Sequence, residues 1–258
     1  MSDLLIMKPF NPLFFVGIIL FAALAFLLIK IYKDKNLTIR KRLIVVIYTI
    51  TFIIFVVYKI YLSMDAEFSA LRISAGYTAF NWFEELPLNL CNLNILLIII
   101  AVLLDSRILL GFCFFFGSMG ALCALMIPAA EFMGFSILLP RMMGFYLTHY
   151  LLLLQTPLLA GLKIFRPKYS DIKPTFIALM VATMASTVLN LIFIKTSLGP
   201  SCNYFFSVDP CGIPPFEFFY KLIPIPGLYM VPIFSVFIPY MFILTGCFRI
   251  SERNHCHK

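Results

Sequence analysis

Long apolar runs separated by short polar stretches dominate the chain. Each run is close to the ~20 mostly apolar residues that a helix needs to cross a hydrocarbon core. They cover residues 12–30, 43–62, 87–104, 108–127, 143–163, 174–194 and 227–247. Lipid offers backbone groups no water to bond, so runs of this length predict helices rather than strands. We expect an all-α, polytopic membrane helical bundle of about seven transmembrane helices, forming a single integral membrane domain over residues 1–258.

Composition and charge support the membrane interpretation. The chain is 62% hydrophobic and 12% charged, whereas soluble domains carry about 25% charged residues. Lys and Arg outnumber Asp and Glu by 20 to 12, and most of them fall in alternate loops. This distribution is typical of the positive-inside rule and needs no nucleic-acid partner to explain it. It predicts an outside N-terminus and an inside C-terminus, in a multi-pass protein of the cell membrane.

The third predicted helix begins with unusually polar residues, in the stretch FEELPLNLCNLN. Within it, Cys91 and Asn94 are three residues apart and share a helix face. The fifth helix begins near His149, and Asn190 lies near the same end of the sixth. Because successive helices alternate in direction, we expect these four side chains at one depth. That depth matches the ester region of lipids in the outer leaflet.

These polar residues indicate a reactive site. His149 is the only histidine outside the C-terminal tail, and an ionisable group inside a membrane is a functional candidate by default. Cys91 lies in a first helical turn, where the backbone favours negative charge. We expect Cys91 to act as nucleophile, His149 as its base, and Asn94 as a group that steadies an oxyanion. For Asn92 and Asn190 taken singly, bonding to a neighbouring helix is favoured over a chemical role.

Two loops at the outer side carry further polar residues. The loop at 195–226 contains six prolines, which exclude a continuous helix there. Within it, Cys202 and Cys211 would form a disulfide if that side is oxidising, and the sequence leaves both states open. Glu84 and Glu85 precede the third helix and are expected to face water.

The motifs ELPLNLCNLN, THYLLLLQTPL and NYFF, in this order, resemble the YwaF-like integral membrane family, the bacterial relatives of transmembrane protein 164. The similarity runs from the third predicted helix to the last, and the first two helices agree in hydropathy only. The eukaryotic relative is described as an acyltransferase that acts on ether phospholipids through an essential cysteine and histidine. The resemblance implies that Cys91 and His149 are the essential cysteine and histidine. It also implies that Asn203 and Tyr204 form a further motif. One departure is Asn89, which stands where bacterial relatives often carry a histidine that would offer a second base.

Two functions fit these observations. In the first, a membrane-embedded acyltransferase acts on membrane phospholipids, Cys91 holds the acyl chain as a thioester, and a lysolipid hydroxyl accepts it. The candidate oxyanion or substrate-binding side chains are Asn89, Asn92, Asn94, Asn190, Asn203 and Tyr204. In the second, a small-solute transporter or channel has a polar cavity in the outer half of the bundle, lined by asparagines and Gln155. A structural subunit is a third possibility, and no nucleotide, metal or organic cofactor is indicated.

Overall fold

The computed structural model describes the backbone of residues 5–256 and the side chains of residues 5–250. Over that range the chain is helical, and the only strand-like pairing is an isolated bridge between Ile6 and Ser136. The expected all-α architecture is therefore confirmed. The helices are α1 Pro12–Tyr32, α2 Leu37–Met64, α3 Ala66–Ser74, α4 Leu90–Leu103, α5 Arg107–Met126, α6 Pro140–Leu153, α7 Gln155–Gly161, α8 Tyr169–Lys195, α9 Pro214–Leu222, α10 Met230–Ser235 and α11 Phe237–Cys256.

Among the described residues, five stretches are long and apolar enough to cross a membrane. They are Pro12–Tyr32, Leu37–Met64, Arg107–Met126, Tyr169–Lys195 and Met230–Ile250. Three predicted segments differ from single continuous helices, and one of them, 227–247, is divided into α10 and α11 within one apolar stretch. The segment at 87–104 is the shorter α4, with 14 residues, and the segment at 143–163 is divided into α6 and α7. A multi-pass membrane protein is thus supported.

The division between α6 and α7 at Leu154 has a cause in the sequence. Pro157 lies three residues later and has no N–H to bond the carbonyl of Leu153, four residues before it. The hydroxyl of Ser118, on α5, donates to that carbonyl at 2.9 Å and accepts from the N–H of Thr156 at 3.0 Å. The break is therefore stabilised by a neighbouring helix, as polar groups at membrane depth require.

Helix α5 forms the centre of the bundle. Its apolar stretch is 56% buried, against 11% for α1, and it packs against α4, α6, α7 and α8. Five consecutive side chains, Phe112 to Phe116, are buried, and because they span more than one helical turn, α5 is buried on every side here. Helix α2 packs against both α4 and α6. The mostly exposed α1 lies at the periphery, against α6 and α7, where an apolar surface suits contact with lipid.

The connections gather at two ends of the bundle. At one end, the N–H of Met7 donates to the carbonyl of Phe135 at 2.9 Å, and Asn81 donates to the carbonyl of Leu198 at 2.8 Å. At the opposite end, Arg107 forms two 2.7 Å bonds with Asp171. We name the first the site end, and it comprises residues 5–11, 65–89, 127–139 and 196–229.

Candidate functional site

The turn that precedes α4 is clamped by the segment that follows α8. Asn89 occupies the N-cap position but makes no capping bond, and its Oδ1 instead accepts from the N–H of Phe205 at 3.3 Å. The hydroxyl of Tyr204 donates to the carbonyl of Phe83 at 2.6 Å and accepts from the N–H of Leu86 at 3.0 Å. Polar residues at this helix start therefore join two distant parts of the chain.

Cys91 is the second residue of α4 and is partly buried. Its thiol is free and donates to Oδ1 of Asn92, with 3.7 Å between sulfur and oxygen. Helix α5 comes close at Gly120, where an added Cβ would lie 3.5 Å from the backbone nitrogen of Cys91. The sulfur thus lies at a helix N-terminus, where the first backbone N–H groups have no partner within the helix.

His149 lies on α6 with 3% of its surface exposed. Its Nδ1 is 2.7 Å from the carbonyl oxygen of Phe145. A carbonyl only accepts hydrogen bonds, so Nδ1 carries the proton in the neutral ring, and Nε2 keeps a free lone pair. Nε2 is buried and has no partner among the described residues. The ring is thus held in a tautomer whose unpaired nitrogen, Nε2, is a base.

The structure places the helices of Cys91 and His149 in contact. Helices α4 and α6 touch one another, and both pack against α2. In the described part of the chain no hydrogen bond joins the two side chains. Lys59, on α2, interacts electrostatically with both. The charge of Lys59 therefore acts on both side chains.

Lys59 belongs to a buried ion network that sequence reasoning missed. Its ammonium pairs with Glu85, Glu85 accepts from Arg72 at 3.1 Å, and Arg72 donates to Glu84 at 2.6 Å. The side chains of Glu84 and Glu85 are only 2% and 11% exposed. The expectation that they face water is wrong, because each has a cationic partner inside the fold. The available signal was a lysine within the apolar run of α2.

Asn92 and Asn94 are both buried. Nδ2 of Asn94 donates to the carbonyl of Leu90 at 2.6 Å, and its Oδ1 has no partner among the described residues. Flipping the amide would place two oxygens together, so the bonded carbonyl fixes the orientation. Asn94 therefore offers an acceptor. It can receive a hydrogen bond from a hydroxyl, and the second N–H of Nδ2 is still a donor, so its expected role at an oxyanion stays a prediction.

Asn190 holds the segment after α8 against that helix. Its Nδ2 donates to the carbonyl of Tyr204 at 3.0 Å and to the hydroxyl of Ser207 at 3.1 Å. Its Oδ1 accepts from the N–H of Tyr204 at 3.0 Å. The side chain is fully buried, and its amide makes three bonds within the protein. These bonds give Asn190 a positioning role in the wall beside α4.

Asn203 organises the next turn. Its Oδ1 accepts from the N–H of Asp209 at 3.1 Å, and its Nδ2 donates to the sulfur of Cys211 at 3.1 Å. Cys211 and Cys202 are both free thiols here. Burial raises the pKa of the Cys202 thiol to about 12, so it stays protonated and donates to the carbonyl of Phe83 at 3.0 Å. The structure thus shows the reduced form of this pair.

Three of the unpaired buried polar atoms lie on α4, α6 and α7. Nε2 of His149, Oδ1 of Asn94 and Oε1 of Gln155 are buried without partners among the described residues. All three are hydrogen-bond acceptors. Within the same residues, no group of three or more His, Cys, Asp or Glu side chains could hold a metal ion. These three atoms therefore suit a hydrogen-bond donor such as a thiol, a hydroxyl or water.

Comparison with known families and proteins adds one finding. A family model described as the TMEM164 family matches residues 7–245. No curated protein matches the chain, and no solved structure matches it. The matched range includes Cys91, His149 and the ion network around Lys59, together with the clamped segment after α8.

Proposed function

Because the chain belongs to the TMEM164 family, we propose that it is a membrane-embedded acyltransferase that transfers phospholipid acyl chains through Cys91 and His149. The observation that carries the proposal is the state of His149, whose Nδ1 is held by the carbonyl of Phe145 while the buried Nε2 has no protein partner. A buried imidazole in this state is suited to take a proton from a nucleophile. Cys91, on the adjoining α4, is the nucleophile in this proposal.

The reaction has two steps. First, Nε2 of His149 takes the thiol proton while the sulfur of Cys91 attacks the ester carbonyl of a phospholipid. The ester C–O bond breaks, the leaving alcohol receives the proton, and the acyl chain remains on sulfur as a thioester. Second, Nε2 takes the proton of a lysolipid hydroxyl, whose oxygen attacks the thioester. The C–S bond breaks and the proton returns to sulfur.

The asparagines divide into two groups in this proposal. Asn94 presents its free Oδ1 to the incoming hydroxyl, and Asn92 holds the Cys91 thiol before reaction. The remaining candidates hold the wall of the site through bonds inside the protein, and they are Asn89, Asn190, Asn203 and Tyr204. Substrate contact therefore rests on the first group.

We also propose seven crossings with the N-terminus outside and the C-terminus inside the cell membrane. The crossings are α1, α2, α4, α5, α6 with α7, α8, and α10 with α11. The grouping of connections at two ends supports this topology, and so does the clustering of Lys and Arg in the loops opposite the site end. In this topology the site faces the outer leaflet, and its substrates are lipids of that leaflet.

A transporter or channel is the second candidate function. One observation favours it: Asn94 and Gln155 carry unpaired buried oxygens next to the helix break at Leu154. Interrupted helices line the substrate sites of many transporters. This function needs no sulfur at position 91, so the two candidates differ in what they require of Cys91.

Acyl transfer between labelled lipids in nanodiscs tests the proposal. We expect transfer by the wild type and by Cys123→Ser, a matched control at another free thiol, on α5. Cys91→Ser and His149→Gln should each reduce the rate by about 100-fold or more. Absence of transfer by the wild type would contradict the proposal. Solute flux into liposomes that is unchanged in Cys91→Ser would then favour the transporter.

A further inference from the structure

The segment from Pro214 to Leu228, comprising α9 and the turn after it, exposes a continuous apolar surface. None of the residues of α9 is buried. Large side chains are exposed along the whole segment, namely Phe218 at 59%, Leu222 at 62%, Ile225 at 53% and Leu228 at 43%. An apolar patch of this kind marks a site of contact with another phase or molecule.

Helix α9 has three different edges. One edge packs on the protein, where the rings of Phe216 and Tyr220 lie 5.5 Å and 5.1 Å from neighbouring aromatic rings. A second edge carries Glu217 and Lys221, four residues apart. The third edge is the exposed apolar one. A helix with a charged edge beside an apolar edge is typical of helices that lie in the plane of a membrane interface.

The turn after α9 lies below the end of α8. A Cβ added at Gly227 would lie 2.7 Å from Oγ1 of Thr187 and 3.2 Å from the sulfur of Met184. Thr187 is eight residues before Lys195, which ends α8, so it lies about 12 Å along the axis from that end. The headgroup layer of one leaflet is about 5–8 Å thick. With Lys195 at the interface, Gly227 lies at the depth of acyl chains.

The backbone of this turn leaves no donor unpaired. From Ile223 to Met230, Pro224 and Pro226 have no N–H, and every other backbone N–H bonds a carbonyl. One of these bonds joins Gly227 to Ser207 at 2.6 Å. Irregular backbone in contact with water can bond water instead, whereas backbone at membrane depth must pair within the protein.

We infer that residues 214–228 are inserted into the leaflet at the site end, with α9 in the headgroup boundary and the turn after it against acyl chains. Lipid of that leaflet covers the exposed apolar surface. The surface continues onto the exposed face of α8, at Val188 and Leu191, which belongs to a candidate membrane span. The inference is independent of the acyltransferase chemistry.

Tryptophan depth measurements test this insertion. Trp82 is the only tryptophan, so a Trp82→Phe background can carry Phe218→Trp or Leu228→Trp, with Glu217→Trp as the control on the charged edge. In vesicles of phosphatidylcholine with brominated acyl chains, we expect bromine to quench the first two. Aqueous iodide should quench Glu217→Trp about threefold more strongly than Leu228→Trp. Equal quenching by iodide at all three positions would overturn the inference. Absence of quenching by both brominated lipid and iodide at positions 218 and 228 would also overturn it.

A labelling experiment on the unmodified chain removes any dependence on folding of the variants. Nanodiscs are irradiated with a carbene precursor dissolved in the lipid or with a water-soluble one, and the modified peptides are read by mass spectrometry. We expect residues 214–228 to react with the lipid-soluble reagent and the exposed turn around Gly76 to react with the water-soluble one. Labelling of both segments by the water-soluble reagent alone would place residues 214–228 outside the bilayer.

Discussion

The buried pair of Lys59 and Glu85 gives the sharpest prediction about stability. The two side chains are 7% and 11% exposed, so water cannot replace a lost partner. Breaking a buried ion pair from one side costs about 3–5 kcal/mol. In Glu85→Gln an amide oxygen still accepts one bond from Lys59, so we expect the lower limit, about 3 kcal/mol.

Replacing Lys59 instead of Glu85 should cost less free energy of unfolding. In Lys59→Met, Glu85 keeps its 3.1 Å bond from Arg72, so we expect about 1 kcal/mol. The double variant contains neither the buried ammonium nor its carboxylate, and Arg72 still pairs with Glu84. We therefore expect the double variant to be more stable than Glu85→Gln alone, with a coupling energy of about 2 kcal/mol.

Thermal unfolding in nanodiscs, followed by the fluorescence of Trp82, measures these differences. A loss of 3 kcal/mol corresponds to a fall in Tm of about 6–12 °C for a chain of this size. The exposed pair of Lys41 and Asp105 is the matched control, and Lys41→Met should lower Tm by about 2 °C or less. Additive effects of Lys59→Met and Glu85→Gln would refute the reasoning, because independent side chains show no coupling.

Four further substitutions have defined outcomes. Gly144→Ala should lower Tm by about 5 °C or more, because the new Cβ would lie 2.2 Å from the Cβ of Tyr58. The control Gly120→Ala should be tolerated, because its nearest contacts are at 3.5 Å. Equal losses of Tm in the two variants would contradict this steric argument. Asn190→Ala removes three hydrogen bonds and should cost about 2–3 kcal/mol, measured by thermal unfolding. Ser118→Ala leaves the carbonyl at the α6–α7 break without its donor and should cost about 1–3 kcal/mol, and an unchanged Tm would show that the hydroxyl is dispensable.

Apolar patterning predicts the helical class well, because the length of an apolar run and its lack of charge are local properties. It places α1 and α5 within a few residues of their observed bounds. The predicted ranges are 12–30 and 108–127, and the observed helices are Pro12–Tyr32 and Arg107–Met126. The interrupted segment at 143–163 is different. Pro157 was visible in the sequence, but apolar patterning continues across the break, and only the contact with Ser118 shows how the helix ends are satisfied.

The site was predictable only in part, because its geometry depends on long-range contacts. Polarity and position nominate Cys91 and His149 as candidates without any structure. Lys59 was missed because its partner lies 26 residues away, and a charge near a helix end is usually solvated. The inserted segment was missed because its depth follows from Gly227 packing on α8, which no local pattern encodes. The orientation of Asn94 likewise depends on a bond to its own helix.

The most direct test of the central claim is detection of the acyl group on Cys91. Protein in nanodiscs is incubated with labelled phospholipid, and intact mass spectrometry with peptide mapping follows, before and after hydroxylamine. The account predicts a hydroxylamine-sensitive adduct on Cys91 in the wild type, its absence in Cys91→Ala, and slower formation in His149→Ala. Two results would contradict it. One is an adduct at a cysteine other than Cys91, and the other is transfer of the labelled acyl chain between lipids with no adduct on the protein.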